Sequence, residues 1–163
     1  MRPLLPEDAQ LLLRGFDKLS SRTRYTRFLQ AVDRLTPDQV DYLTHVDGYD
    51  HLAWGATAVD PATGETVGIA IARSVREPLH AEEAEFAIVV ADEWQHRGVG
   101  SRLTRVLAEK ARQAGVARWR ATMLATNAPV LRLMALAGSE ISRSTDGRGC
   151  LEVVYQLAEP SPK

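Results

Sequence analysis

Apolar residues recur three and four positions apart in the first quarter of the chain, which is the spacing of one helix face. Residues 7–18 show this spacing and predict a first helix. Ser20 or Ser21 can cap a second helix, because a hydroxyl at that position accepts a hydrogen bond from an otherwise unpaired amide. Thr36-Pro37 is a typical start for a short third helix. The N-terminal quarter is therefore predicted to be helical.

Short apolar runs replace the helical spacing in the middle of the chain and predict strands. Residues 52–59 and 66–74 are two such runs. The turn at 60–65 between them is too short for a parallel crossover, so the pair is predicted to be antiparallel. A polar loop is expected at 76–83. The next strand, 84–91, is apolar on both faces with one exception, which is typical of a central strand covered on both sides.

The second half of the chain alternates between the two patterns. The predicted elements are a helix at 98–114, a strand at 117–124, a helix at 128–137, and a final hairpin of strands 139–145 and 149–157. Asn127 can cap the second of these helices. We expect an α/β fold with a mixed, mostly antiparallel central sheet and helices on both faces. One domain is predicted over residues 1–158, followed by a loose polar tail at 159–163.

Composition narrows the class of protein without identifying it. The chain has 163 residues and a net charge of −1, with 45% hydrophobic and 25% charged residues. A nearly neutral chain gives no reason to expect nucleic acid or an anionic membrane as a partner. The sequence has no apolar run of the roughly 20 residues that span a bilayer. A single cysteine, Cys150, excludes an internal disulfide, so we expect a cytoplasmic protein.

Residues 95–101 are the candidate binding site, because they follow the predicted central strand and open the helix at 98–114. Amides at a helix start lack partners within the helix, and the helix dipole adds positive charge there. Gly98 and Gly100 permit close approach, so the segment predicts a cradle for a diphosphate. A third glycine, as in dinucleotide-binding folds, is missing because position 103 is Leu, and no P-loop sequence is present. No pair of histidines has metal-ligand spacing, so no metal is expected.

The stretch VVADEWQHRGVGSRL, residues 89–103, resembles the phosphate-binding turn of the GNAT superfamily of N-acetyltransferases, whose pattern is (Q/R)-x-x-G-x-(G/A). The segments SRTRYTRF (21–28) and AEFAIVV (84–90) are similar to bacterial protein-lysine acetyltransferases of the Pat type. The resemblance implies a GNAT-like fold and acetyl-coenzyme A as cosubstrate. It implies a primary amine as acceptor, either a protein lysine or a small molecule, and two copies that can pair as a homodimer.

The same resemblance assigns roles in binding the cosubstrate. The residues whose amides hold the pyrophosphate are Gln95, His96, Arg97, Gly98, Val99, Gly100 and Ser101. The backbone at Val89 and Val90, where the strand parts from its neighbour, binds the pantetheine arm and polarises the thioester. Asn127 contacts coenzyme A. The alternatives are structural: the glycines only permit a tight turn, the valines only pack in the core, and Asn127 only caps its helix.

Glu85 is the candidate catalytic residue. It shares a strand face with apolar side chains, and a carboxylate in such a setting suits a general base near neutrality. In family members with this glutamate, it takes the proton of the attacking amine. The alternative is a solvated carboxylate beside Glu82 and Glu83. A tyrosine that serves as general acid in many members is replaced here by Met134, which leaves open a non-catalytic protein that senses or scaffolds acyl-coenzyme A.

Overall fold

The computed structural model describes residues 1–159, and residues 160–163 of the predicted tail lie outside them. In chain order the elements are β1 (Arg2–Pro3), α1 (Ala9–Asp17), α2 (Ser21–Phe28), α3 (Pro37–Thr44), β2 (His51–Val59), β3 (Thr66–Glu77), β4 (His80–Val90), α4 (Val99–Gln113), β5 (Arg118–Leu124), α5 (Ala128–Ala135), β6 (Gly138–Thr145) and β7 (Cys150–Leu157). Single 3₁₀ turns lie at Pro6–Asp8 and Asp92–Trp94. Within the described range, no helix is long and apolar enough to cross a membrane.

The seven strands form one sheet in the order β1-β2-β3-β4-β5-β7-β6. All neighbours are antiparallel except β4 and β5, which run parallel. Helix α4 makes the crossover that a parallel pair needs. These observations confirm the predicted fold class, a mixed and mostly antiparallel α/β sheet.

Helices cover both faces of the sheet, as predicted. On one face, Leu103 and Leu107 of α4 are fully buried against the sheet in the main core. Trp119 of β5 is buried there too; its ring stacks on Phe86 with centroids 4.4 Å apart, and its Nε1 donates to Ser74 Oγ at 2.9 Å. On the opposite face, α1 and α3 enclose a smaller core against which Val89 of β4 packs. The alternation of side chains along β4 thus serves two cores.

The predicted helix caps are partly confirmed. Ser20 caps α2 by accepting a hydrogen bond from the Thr23 amide. Thr36 and Gln39 form a reciprocal capping box at the start of α3. Asn127 occupies the N-cap position of α5, but its side chain makes no capping hydrogen bond. The predicted capping role of Asn127 is therefore wrong.

The prediction of a polar loop at 76–83 is also wrong. Strand β3 continues to Glu77 and β4 begins at His80, so only Pro78 and Leu79 form the turn. Arg76 holds this extension, because its guanidinium donates to Asp50 Oδ1 at 2.6 Å, to the carbonyl of Ala81 and to the carbonyl of Ala114. The polar sequence reflects an exposed hairpin rather than an irregular loop.

Gly138 at the start of β6 gives a direct test of the sheet register. A Cβ at this position would lie 1.9 Å from the carbonyl oxygen of Gln156, a backbone atom that cannot move aside. We expect Gly138→Ala to lower the free energy of unfolding by about 3 kcal/mol, measured by urea denaturation. Ser139→Ala, at the next and exposed position, is the control and should change stability by less than about 0.5 kcal/mol. Equal stabilities of the two variants would contradict this register.

Candidate active site

The site begins where β4 and β5 separate. The two strands pair over only three positions, from Glu83 with Arg118 to Glu85 with Arg120. Strand β4 then continues to Val90 with β3 as its partner on the other side. Parallel strands that stop pairing while one continues leave unpaired peptide groups along one edge. A wedge-shaped opening therefore lies between β4 and β5.

Val90 presents its peptide group to this opening. The Ala91 amide donates to Ile69 of β3 at 2.8 Å, and peptide groups alternate sides along a strand, so the N–H and C=O of Val90 face away from β3. The Val90 carbonyl accepts from Gln95 Nε2 at 3.1 Å. The Val90 N–H has no acceptor in the described part of the chain. Of the two valines predicted to bind the cosubstrate, Val89 instead turns its peptide group toward β3, because the alternation places it on the other side.

A run of unpaired amides follows the 3₁₀ turn. Between residues 1 and 159, no acceptor exists for the amides of His96, Arg97, Gly98, Val99, Gly100 and Ser101. The Gln95 amide differs, since it donates to the Asp92 carbonyl at 3.3 Å, so Gln95 contributes its side chain to the site and not its amide. Six successive unpaired donors at the positive end of α4 are an arrangement that can hold an anion.

The two glycines of the segment serve different purposes. Gly98 has a φ of +78°, and a Cβ added there would have open space around it. Glycine is therefore favoured at this position because of the backbone conformation and not because a side chain would clash. A Cβ on Gly100 would lie 3.3 Å from Leu133 and 3.5 Å from Val90, so this glycine lets the helix start approach β4 and α5. His96 also has a positive φ of 59° and is exposed, a conformation that is uncommon outside glycine and is found at functional turns.

Asp92 anchors this loop to α2, a contact that the sequence did not indicate. Its carboxylate accepts from the Ser20 amide at 3.0 Å, the Ser20 hydroxyl at 2.7 Å and the Thr23 hydroxyl at 2.7 Å. Partial burial alone raises the pKa of Asp92, but the hydrogen bonds from Ser20 and Thr23 outweigh it, and the pKa is lowered. The carboxylate is therefore charged at neutral pH and holds the loop in place.

Glu85 differs from the two glutamates that precede it. Glu83 is buried and paired with Arg120, whose Nε lies 2.7 Å from Oε1, and with Arg118 at 3.5 Å. Glu82 lies 3.7 Å from Arg118. Glu85 is exposed and has no ion-pair or hydrogen-bond partner among the described residues. Ala87 and Val89 lie on the same face of β4 as Glu85, as predicted, but Glu85 is exposed, so its carboxylate is available to a substrate.

Comparison with known proteins identifies this arrangement. The family model for "Acetyltransferase (GNAT) family" matches residues 20–138. The chain belongs to the GNAT acetyltransferase family. This confirms the family predicted from the turn at residues 95–101.

Three proteins similar to this GNAT chain include two of the Pat type. It is 40% identical over 139 residues to Acetyltransferase Pat of Mycolicibacterium smegmatis, covering 85% of this chain and 40% of that protein. The crystal structure of the GNAT domain of S. lividans PAT superposes with a TM-score of 0.82 at 29% identity, covering 96% and 89% of the two chains. The cAMP-binding acyltransferase from Mycobacterium smegmatis gives a TM-score of 0.62 at 30% identity, covering 97% of this chain and 43% of that one. The chain thus spans less than half the length of the Pat relative.

Two further positions of the GNAT chain bear on the chemistry. The Asn127 side chain is half-buried and makes no hydrogen bond within residues 1–159, so its amide group remains available to a ligand. Met134 is fully buried in the main core and has no proton to donate. No cluster of three or more His, Cys, Asp or Glu side chains that could hold a metal ion occurs in the described range.

Gly98 provides a test of the anion site, with Gly147 as its matched control. Both have positive φ, +78° and +70°, and both have open space around a would-be Cβ. We expect alanine at either position to cost about 1 kcal/mol of stability. Only Gly98→Ala should weaken acetyl-coenzyme A binding, by about tenfold, because relief of the strain rotates the neighbouring amides. Calorimetric titration measures both affinities; an equal effect, or none, at both positions would contradict the assignment.

Proposed function

We propose that this GNAT chain transfers the acetyl group of acetyl-coenzyme A to a primary amine, on a protein lysine or a small molecule. The observation that carries the proposal is the run of six unpaired amides from His96 to Ser101 next to the opening between β4 and β5. An anion site and a strand edge with a vacant donor, side by side, match a cosubstrate that has a pyrophosphate at one end and an amide-containing arm at the other.

The cosubstrate lies across these two features in the proposal. The amides from His96 to Ser101 hold the pyrophosphate, and Asn127 contacts the pantetheine arm as the arm enters the opening. The Val90 N–H then faces the thioester carbonyl, where negative charge develops as the amine attacks. A preorganised donor of this kind contributes on the order of 3 kcal/mol to the transition state. Gln95 supports this role, because its hydrogen bond to the Val90 carbonyl fixes the strand end.

Glu85 acts as the general base. The five residue steps from Glu85 to Val90, whose N–H faces the thioester in the proposal, span about 17 Å of strand, which is farther than a glutamate side chain reaches. Proton transfer therefore runs through ordered water between the attacking nitrogen and the carboxylate. The absence of an ion pair at Glu85, against the pairs at Glu82 and Glu83, supports its assignment as the base that receives the proton.

The thiolate of coenzyme A leaves without a protein acid at the position of Met134. A thiol has a pKa of about 8–9, so its anion is a fair leaving group near neutral pH. The positive end of α4 stabilises an anion nearby. Solvent protonates the thiolate after it has left, and no tyrosine is required.

Glu85→Gln tests the base. We expect kcat to fall by about 10²- to 10⁴-fold, because the amide cannot take a proton, while the affinity for acetyl-coenzyme A stays within about twofold. The assay is acetyl transfer to a panel of lysine peptides and small amines. Glu82→Gln is the control, because this exposed carboxylate lies three residues away and is proposed to have no part in the reaction.

Two other outcomes decide between alternatives. Unchanged turnover in Glu85→Gln would mean that another group is the base. Binding of acetyl-coenzyme A by the unmodified protein without turnover on the whole panel would favour a sensor or scaffold of acyl-coenzyme A, the alternative that Met134 leaves open.

A further inference from the structure

Arg27 of α2 is a half-buried arginine without a partner. Its guanidinium makes no hydrogen bond and no ion pair with any residue from 1 to 159, and it lies over the ring of Phe28, with Cζ 5.0 Å from the ring centroid. Other arginines with restricted exposure are satisfied: Arg24 donates to three carbonyls, and Arg76 pairs with Asp50. Burial lowers the pKa of Arg27, and the charge of Glu85 is close enough to oppose that shift.

Arg73 of β3 adds a second guanidinium to the same place. It is only 4% exposed, and its partners are neutral: His51 Nε2 at 3.0 Å and the Leu43 carbonyl at 2.5 Å. Burial first, and then the charge of Arg27, lower the pKa of Arg73 to about 10. Burial and the charge of Arg73 lower the pKa of His51 in turn, so His51 is neutral at pH 7 and adds no charge.

The two guanidiniums face one cleft between the N-terminal helices and the sheet. Their neighbours in its lining include Phe28 of α2 and, from β4, Ala87 and Val89, which lie on the strand face that also carries Glu85. Asp8 lines the cleft as well, but its carboxylate is held by Arg2 at 2.5 and 2.7 Å. Two partly desolvated cations therefore face one unpaired carboxylate, an imbalance that a bound anion relieves.

Resting on the proposed function, we infer that the acceptor amine also carries an anionic group, a carboxylate in the simplest case, which Arg27 binds. A guanidinium matches a carboxylate by two parallel hydrogen bonds. Arg73, the more buried of the two guanidiniums, adds to the positive potential of the cleft. Glu85 attracts the ammonium end of the same molecule, so the pair of opposite charges across the cleft fits a zwitterion, with the apolar lining around the part between its charges.

The test compares matched acceptors that differ only in the anion. The first pair is L-leucine and L-leucinamide; the second is a lysine peptide with Glu next to the lysine and the same peptide with Gln there. The amide has the more reactive amine, since a carboxylate raises the pKa of the adjacent ammonium group, so a preference for leucine must come from binding. We expect kcat/KM to favour the anionic member of one pair by at least tenfold, and the pair that responds identifies a small or a peptide acceptor.

Arg27→Gln should abolish this preference, and Arg22→Gln should retain it. Arg22 is an exposed arginine on the same helix, so its substitution makes the same change of charge. Calorimetry measures the affinities for the two products, N-acetyl-L-leucine and N-acetyl-L-leucinamide, and needs no turnover. We expect the anionic product to bind more tightly. Equal kcat/KM within both pairs together with equal product affinities, or a preference that survives Arg27→Gln, would overturn the inference. Failure to acetylate any amine, with Arg27-dependent binding of N-acetyl-L-leucine, would instead overturn the transferase while leaving the anion site.

Discussion

The end of pairing between β4 and β5 after Glu85 is the constraint on which the site depends. A sheet that stayed closed to Val90 would use the Val90 N–H in a ladder hydrogen bond and leave no room for a ligand arm. Because β4 continues to Val90 without β5 beside it, the chain leaves the sheet at the edge of the opening and starts α4 there. Gly100 lets the first turn of α4 pack against Val90 and Leu133. The unpaired amides at the start of α4 therefore lie next to the opening between β4 and β5.

Electrostatics divides the site into three regions along β4. The start of α4 supplies six unpaired amides and the positive end of a dipole at one end. The carboxylate of Glu85 lies at the other end, on the face turned toward α2. Arg73 lies opposite Ala87, between these two ends, and Arg27 faces the same cleft; neither has an acidic partner in the described structure. A cosubstrate anion, an attacking amine and an acceptor anion would each meet the opposite charge, and the uncharged thioester would lie between them.

Local pattern was enough to predict the fold class, the order of the elements from α1 to β7 and the glycine-containing turn that opens α4. These features depend on spacing within one segment: apolar periodicity for the helices, and the Gly-x-Gly at a helix start for the turn. The boundaries failed where a distant contact decides them, as at the β3–β4 hairpin, which Arg76 holds through Asp50, Ala81 and Ala114.

Side-chain roles were harder to predict for the same reason. Whether Glu83 or Glu85 is unpaired depends on Arg118 and Arg120, which lie on another strand. The anchoring of Asp92 by Ser20 and the lack of a partner at Arg27 depend on how α2 packs, and neither has a signature in local sequence. The local turn geometry likewise decides that the Gln95 amide donates to the Asp92 carbonyl and that the Asn127 side chain does not cap α5.

The most direct measurement of the central claim is an NMR titration of the uniformly ¹⁵N-labelled protein with acetyl-coenzyme A, with S-acetyl-pantetheine as the ligand that lacks the pyrophosphate. The account predicts large, saturable shifts of the amide resonances of residues 96–101 with acetyl-coenzyme A and small ones with the truncated thioester. Resonances at 96–101 that stay in place while acetyl-coenzyme A binds elsewhere, or that respond equally to both ligands, would contradict it.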